Sequence, residues 1–139
     1  MKIIIVNKDT LLYDEFKFKC SIGKNGRTTK KIEGDNKTPK GLYALGPLYY
    51  RKDRIFKIST RLKKIKIKKN FGWCDDVSNK FYNKRIKINS KVGHEKLFRD
   101  DKKYDLLIPI EYNYKKPEKN KGSAIFIHLT KNYKKTQGC

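Results

Sequence analysis

The chain is short of cysteine, of acidic residues and of long apolar runs, and each shortage removes a class of protein. Its three cysteines, Cys20, Cys74 and Cys139, stand far apart in 139 residues. An odd and dispersed set makes no disulfide scaffold, and the CxxC spacing of a zinc site is missing. No apolar run approaches the roughly 18 residues of a membrane span. The opening "MKIIIVNKDT" offers four apolar residues and then charge, too little for a secretory leader, and reads as a first strand. No signal peptide is seen, so a cytoplasmic location stays open. The length suits one domain, 1–139, with a core of its own.

Acidic residues number 14 against 36 Lys and Arg, a net charge of +22. Such a field attracts polyanions. The basic side chains, however, are 30 Lys and only 6 Arg, beside 15 Ile and 10 Asn. Those are the residues that an AT-rich coding composition favours, whereas nucleic-acid readers enrich Arg for bidentate contacts. The one dense cluster, "RLKKIKIKK" at 61–69, alternates with Ile as a half-buried strand does. No specific nucleic-acid partner is expected.

What the chain does have is alternation. "IIIV" (3–6), "FKFKCSIG" (16–23), "GLYALGPLYY" (41–50), "RIFKIST" (54–60), "KIKIK" (64–68) and "RIKI" (85–88) read as strands. In the second of these Phe16, Phe18, Cys20 and Ile22 share one face. "YDLLIPIEYN" (104–113) and "SAIFIHLT" (123–130) are the most apolar and should be central. Turn chemistry in "GKNGR", "EGDNKTPKG", "NFGW" and "KKPEKNKG" separates them. "GHEKLFRDD" (93–101) is the one stretch that reads as a short helix, with Leu97 and Phe98 on its apolar side. The fold class is therefore mainly β, a sandwich or mixed sheets with one or two short helices.

Chemistry concentrates in "GSAIFIHLTKNYKKTQGC" (122–139). Period-two alternation puts His128 on the face of Ala124 and Phe126. Eleven residues later comes Gly138-Cys139. A strand that delivers an imidazole and a short loop that returns a thiol make a Cys–His pair, in which the base raises the reactive thiolate fraction. Gly138 allows a tight turn that can aim an amide at a developing oxyanion. A buried structural histidine beside an inert cysteine would leave the same spacing.

This segment resembles the active-site motif of the L,D-transpeptidase (YkuD-type) catalytic domain family, a strand ending in His, a loop, then Ser/Thr-His-Gly-Cys. "CSIGKNGRTTKKIEGDNKTPKGLYALG" (20–46) is similar to the family's early hairpin with its Thr-Pro-x-Gly turn. "GWCDDVSNKFYNKRI" (72–86) and "HEKLFRDDKKYDLLIPIEYN" (94–113) resemble its small single-domain branch. The resemblance implies a YkuD-like β fold with Cys139 as nucleophile and His128 as general base. It assigns the carbonyl of Leu129 to orienting the ring and the amides of Gly138 and Cys139 to the oxyanion hole. Thr136 falls at the motif hydroxyl, and Gln137 replaces the motif histidine beside the thiol. Arg99, Asp100, Asp101 and Tyr104 match a recurring segment that either lines the substrate cleft or forms a salt-bridged turn.

The implied reaction is acyl transfer on peptidoglycan stem tetrapeptides. The thiol attacks the carbonyl of a diaminopimelate-type residue and releases D-alanine. An amine of a second stem then resolves the thioester as a cross-link, or water resolves it as an L,D-carboxypeptidase would. No metal or cofactor is required, carbapenems should acylate the cysteine, and the expected location is the cell envelope or periplasm. Because family members continue past the cysteine, the resemblance implies a chain truncated at its C-terminus. The alternative is a non-catalytic basic module binding wall polymer or nucleic acid. Of the remaining residues, Cys20 and Cys74 read as packing residues. His94 reads as a solvated or capping residue, and Trp73 and Tyr82 as core or as an aromatic platform.

Overall fold

The computed structural model describes residues 2–89 and 91–139. Short strands dominate because β-branched and aromatic residues alternate with lysine, and turn residues interrupt them every few positions. Strands β1 (Ile3–Ile5), β2 (Thr10–Tyr13) and β3 (Phe16–Lys19) form an antiparallel meander. Asp14, at φ 50°, turns the tight β2–β3 hairpin. β4 (Arg27–Thr28) and β5 (Thr38–Pro39) pair in parallel. A four-stranded sheet takes the order β12-β11-β6-β7, from β6 (Leu48–Tyr50), β7 (Lys64–Lys66), β11 (Leu106–Pro109) and β12 (Phe126–His128). A three-stranded sheet takes the order β10-β8-β9, from β8 (Phe71–Cys74), β9 (Arg85–Lys87) and β10 (His94–Lys96).

These last two sheets enclose the core. Tyr49, Leu107 and Phe126 project from one, and Phe71 and Trp73 from the other. Trp73 meets Phe126 edge-on at 5.1 Å and Tyr49 at 6.3 Å, the favoured geometry for aromatic pairs. One buried polar side chain ties this core to the irregular chain that leads into β12. Asn83, 3% exposed, accepts from Trp73 Nε1 at 2.8 Å and from the Ala124 amide at 3.0 Å. It donates to the carbonyls of Tyr112 at 3.0 Å and Asn113 at 2.7 Å. All four of its hydrogen-bonding positions are filled.

The mainly β class holds, and several elements differ from the sequence reading. Among the described residues there is no helix, and none long and apolar enough to cross a membrane. The expected helix at 93–101 is instead β10 followed by a loop. His94 pairs with Cys74 and Glu95 with Trp73, which drops Leu97 into the core at 0% exposure. Sheet pairing thus outcompetes a weak helical pattern in which Gly93 stands at the start. His94 is half-buried, with Nδ1 2.6 Å from the Val92 carbonyl, rather than solvated.

"RIFKIST" forms no strand, because the amides of Arg54 and Ile55 turn back onto the Arg51 carbonyl. Phe56 is left 87% exposed. The face expected for Phe16, Phe18, Cys20 and Ile22 is buried only at Ile22. β11 is central, but β12 is an edge strand. Its alternation also begins late, since Ala124 at φ 53° breaks the extended backbone before Phe126.

Candidate active site

Three segments converge on one cleft of about 830 Å³. The first is β12 with the irregular stretch before it. Gly122, at φ 100°, and Ala124, at φ 53°, carry the chain through left-handed backbone, which a residue with a Cβ adopts at a cost. The Asn83–Ala124 bond helps to hold this bend. It turns the Ala124 carbonyl toward the Cys139 thiol, which donates to it at 3.4 Å.

The second segment is the C-terminal stretch 136–139, stitched to the early part of the chain. Thr136 donates its amide to Ile22 at 3.0 Å and accepts from Lys24 at 2.9 Å. The Cys139 carbonyl accepts from the hydroxyls of Thr38, at 3.2 Å, and Thr136. Thr38 also receives the Gly23 amide at 2.8 Å, and Gly23 must be glycine because a Cβ would lie 2.5 Å from the Asn36 oxygen. The "KTPKG" turn is thus a brace for the cysteine. Gly138, buried and at φ 142°, sits in backbone that favours glycine, and its amide donates to Thr136 Oγ1 at 3.3 Å.

The third segment is 95–104. Arg99 chelates Asp101, with Nη2 to Oδ2 at 2.7 Å and Nε to Oδ1 at 3.0 Å, and reaches Glu95 at 3.1 Å. The Arg99 hydrogen bond holds the Asp101 carboxyl down at about 2. Arg99 and Tyr104 line the cleft; Asp101 is exposed beside it and orients Arg99. Arg99 and Asp101 thus form a salt-bridged turn, and Arg99 also faces the cleft with Tyr104. Tyr104 is the link between the chemical groups: its ring packs edge-on against His128 at 5.2 Å. Burial and the nearby Cys139 thiol push its phenol far up.

His128 Nδ1 lies 2.7 Å from the Leu129 carbonyl. A carbonyl only accepts, so Nδ1 carries the proton and Nε2 is left with its lone pair. Burial pushes the His128 pKa down, and Lys103 and Arg99 add to the fall. Burial pushes the Cys139 thiol up to about 11, against a backbone hydrogen bond from Phe126. At neutral pH both groups are uncharged. Of the other thiols, Cys74 is wholly buried and Cys20 half-buried, and neither lines the cleft.

The structure brings together Cys139, His128, Gly138, Leu129, Thr136, Gln137, Arg99 and Tyr104 in this one cleft. The model of the YkuD family, the L,D-transpeptidase catalytic domain, matches residues 1–139. The chain belongs to the L,D-transpeptidase catalytic domain family. No curated protein and no solved structure matches it. Membership gives the cysteine-dependent enzyme class.

The cleft also contains residues that sequence reasoning passed over. Lys31, 5% exposed, ion-pairs with Asp35 at 2.6 Å and favours the Cys139 thiolate. Glu33, Asp75, Glu95 and Ser123 also line it. A buried lysine inside the polar "TTKKIEGDN" carried no signal, since nothing in that run distinguishes Lys31 from its exposed neighbour Lys30.

Proposed function

We propose that the chain is a peptidoglycan L,D-transpeptidase in which Cys139 is the nucleophile and His128 the general base. The observation that carries this is the His128–Leu129 hydrogen bond, which leaves Nε2 free of its proton in the cleft that holds the thiol. As Sγ bonds to the carbonyl carbon of a stem tetrapeptide, the thiol proton passes to Nε2 and charge collects on the carbonyl oxygen. The Gly138 and Cys139 amides would receive that oxyanion, Gly138 exchanging its bond to Thr136. His128 then returns the proton to the amine of the departing D-alanine, leaving a thioester. A second stem's amine, or water, restores the thiol through the same steps in reverse. Thr136 and Gln137 flank the reacting sulfur, while Arg99 and Tyr104 wall the substrate. The reading places the work of the protein at the cell envelope.

Intact-protein mass spectrometry after exposure to a stem tetrapeptide or a carbapenem tests the proposal. One adduct should form, on the 136–139 peptide. His128→Ala should keep the fold and slow acylation by about 10²–10⁴-fold, the usual worth of a general base. A dominant adduct on Cys20 or Cys74, or His128→Ala acylating at the parent rate, would remove the assignment.

A further inference from the structure

A second cleft, of about 590 Å³, shares no lining residue with the candidate active site. Tyr49 on β6 and Ile65 on β7 reach it from one core sheet, and Arg85 on β9 from the other. Cations dominate its wall: Arg61, Lys63, Lys84 and Arg85 stand against the carboxylate of Glu111. Among the described residues none of the four ion-pairs with an acid. Two of them are nevertheless held in place. The Lys84 ammonium lies 3.7 Å from the centre of the Tyr114 ring and donates to the Tyr114 carbonyl. The Arg85 guanidinium lies 4.6 Å from the centre of the Phe71 ring. An aromatic face attracts a cation and orients it without neutralising it. Burial pulls the Lys84 pKa down against the opposing effect of Glu111, so this charge is only partly compensated.

Tyr49 supplies an independent observation. It is 4% exposed and lines this cleft, yet its hydroxyl makes no hydrogen bond to any described residue. Nor is that hydroxyl sealed in protein, since Ser123 Oγ alone is enclosed without a partner among the described residues. The phenol therefore opens into the cleft. Burial pushes its pKa up, Arg85 opposes the rise and Tyr114 adds to it, so a guanidinium and a second phenol are its neighbours. A hydroxyl on so buried a side chain loses a hydrogen bond unless water or a ligand oxygen in that space accepts it.

We infer that Tyr49, Lys84 and Arg85, with Arg61, Lys63 and Tyr114 around them, form a binding site for a phosphate monoester. Such a group carries a charge of about −1.5 to −2 and three terminal oxygens, and so accepts from a phenol, a guanidinium and an ammonium at once. A carboxylate has one charge and two oxygens for the same donors. A phosphodiester likewise keeps only two free oxygens, and its chain would have to enter and leave through the same mouth. Glu111 opposes any anion here, and the four cations outweigh it. Leu45, Leu62 and Ile65 give the cleft an apolar wall, which admits an ester of a small alcohol or of an apolar chain. The site differs from the diffuse pull of the surface lysines, which depends on no particular hydroxyl.

The test titrates the isotopically labelled full chain by NMR in 150 mM NaCl, where attraction by distant lysines is screened over about 8 Å. Glycerol 3-phosphate should shift the amides of Tyr49, Lys84 and Arg85 saturably, and glycerol should shift none of them. Tyr49→Phe removes one oxygen and keeps the ring in the core; it should weaken glycerol 3-phosphate by about threefold or more, and Arg85→Gln by about tenfold. Lys17→Gln, an equal loss of charge on β3, should leave the affinity unchanged. Should Arg85→Gln not fold, Tyr49→Phe and Arg61→Gln decide. No saturable shift, shifts spread over lysines outside the cleft, or an affinity that Tyr49→Phe leaves intact overturns the site. Hexyl phosphate distinguishes the source: binding tighter than glycerol 3-phosphate marks a headgroup on an apolar chain, and equal or weaker binding a soluble ester. The site stands with either ranking. Its test does not involve Cys139, so failure of the transpeptidase reading would leave it untouched.

Discussion

At the scale of single residues, the protonation of the dyad sets how the chemistry must run. The thiol is pushed up to about 11 and the imidazole is held below its ordinary 6.5, so the uncharged pair is the resting form. On the proposed reading, proton transfer and attack on the carbonyl then occur together, with substrate in place. This separates two kinds of reagent. Iodoacetamide needs a preformed thiolate, so alkylation of Cys139 should be slow at pH 7 and rise about tenfold per pH unit toward 11. Cys20, less enclosed and less strongly shifted, should be alkylated first at neutral pH. Carbapenem, which offers a carbonyl to the His128 base, should reverse that order. Rates read by peptide mass spectrometry across pH 6–11 decide the matter; a neutral-pH plateau at Cys139 would mean an ion pair after all. The residues of the proposed chemistry were legible in "SAIFIHLT" and "TQGC" because a motif picks them out by type and spacing. Their pKa values were not, since desolvation depends on what the fold packs around them.

At the scale of elements, the sequence announced strands by alternation but not where they would end. "KIKIK", "RIKI" and "YDLLIPIEYN" each contain a strand, shorter than the alternation, whereas "SAIFIHLT" carries near its start a left-handed Ala124 that no periodicity reveals. The agent that organises this bend, Asn83, sits in "FYNKR" and looks like an ordinary turn asparagine, at φ 57°. Only tertiary contact discloses that it joins Trp73, Ala124, Tyr112 and Asn113. Replacing Asn83 by Leu would orphan two buried amide or indole donors and two carbonyls, each worth about 1–3 kcal/mol when left unpaired. Asn83→Leu should accordingly lose at least about 3 kcal/mol in urea unfolding. Any folded fraction should be acylated more slowly, because Ala124 no longer has its anchor. A loss below about 1 kcal/mol would show that water or a shifted backbone replaces the hub. The β1–β3 meander is the opposite case. Its alternation is clear in sequence, yet Ile4, Phe16 and Phe18 remain at least half exposed. Alternation reports that a strand has two unlike faces and cannot say whether either is covered.

At the scale of the whole molecule, the charge has two parts that composition merges into one number. The +22 is spread as lysine over the surface, while three of the 14 acidic residues are withdrawn into the cleft. Lysine ammoniums are strongly hydrated point charges that bind a polyanion through counterion release rather than by reading its shape. Affinity for DNA or an anionic wall polymer should then follow log salt steeply, show no sequence preference, and be largely gone at physiological ionic strength. The cleft should behave otherwise. Its carboxylates and dyad are partly or fully shielded from solvent, where ions screen less than over an open surface with a Debye length of about 8 Å at 0.15 M. Acylation of Cys139 by an uncharged small acyl donor should therefore vary less than about twofold between 20 and 300 mM NaCl, while DNA binding falls by orders of magnitude over the same range. Both can be followed on one preparation, by fluorescence anisotropy of a labelled oligonucleotide and by mass spectrometry of the acyl adduct. If acylation instead falls in step with DNA binding, the surface field governs the active site. If DNA binding survives 300 mM salt with a sequence preference, the lysines are a recognition surface rather than a compositional one, and the basic-module reading regains its claim on the chain.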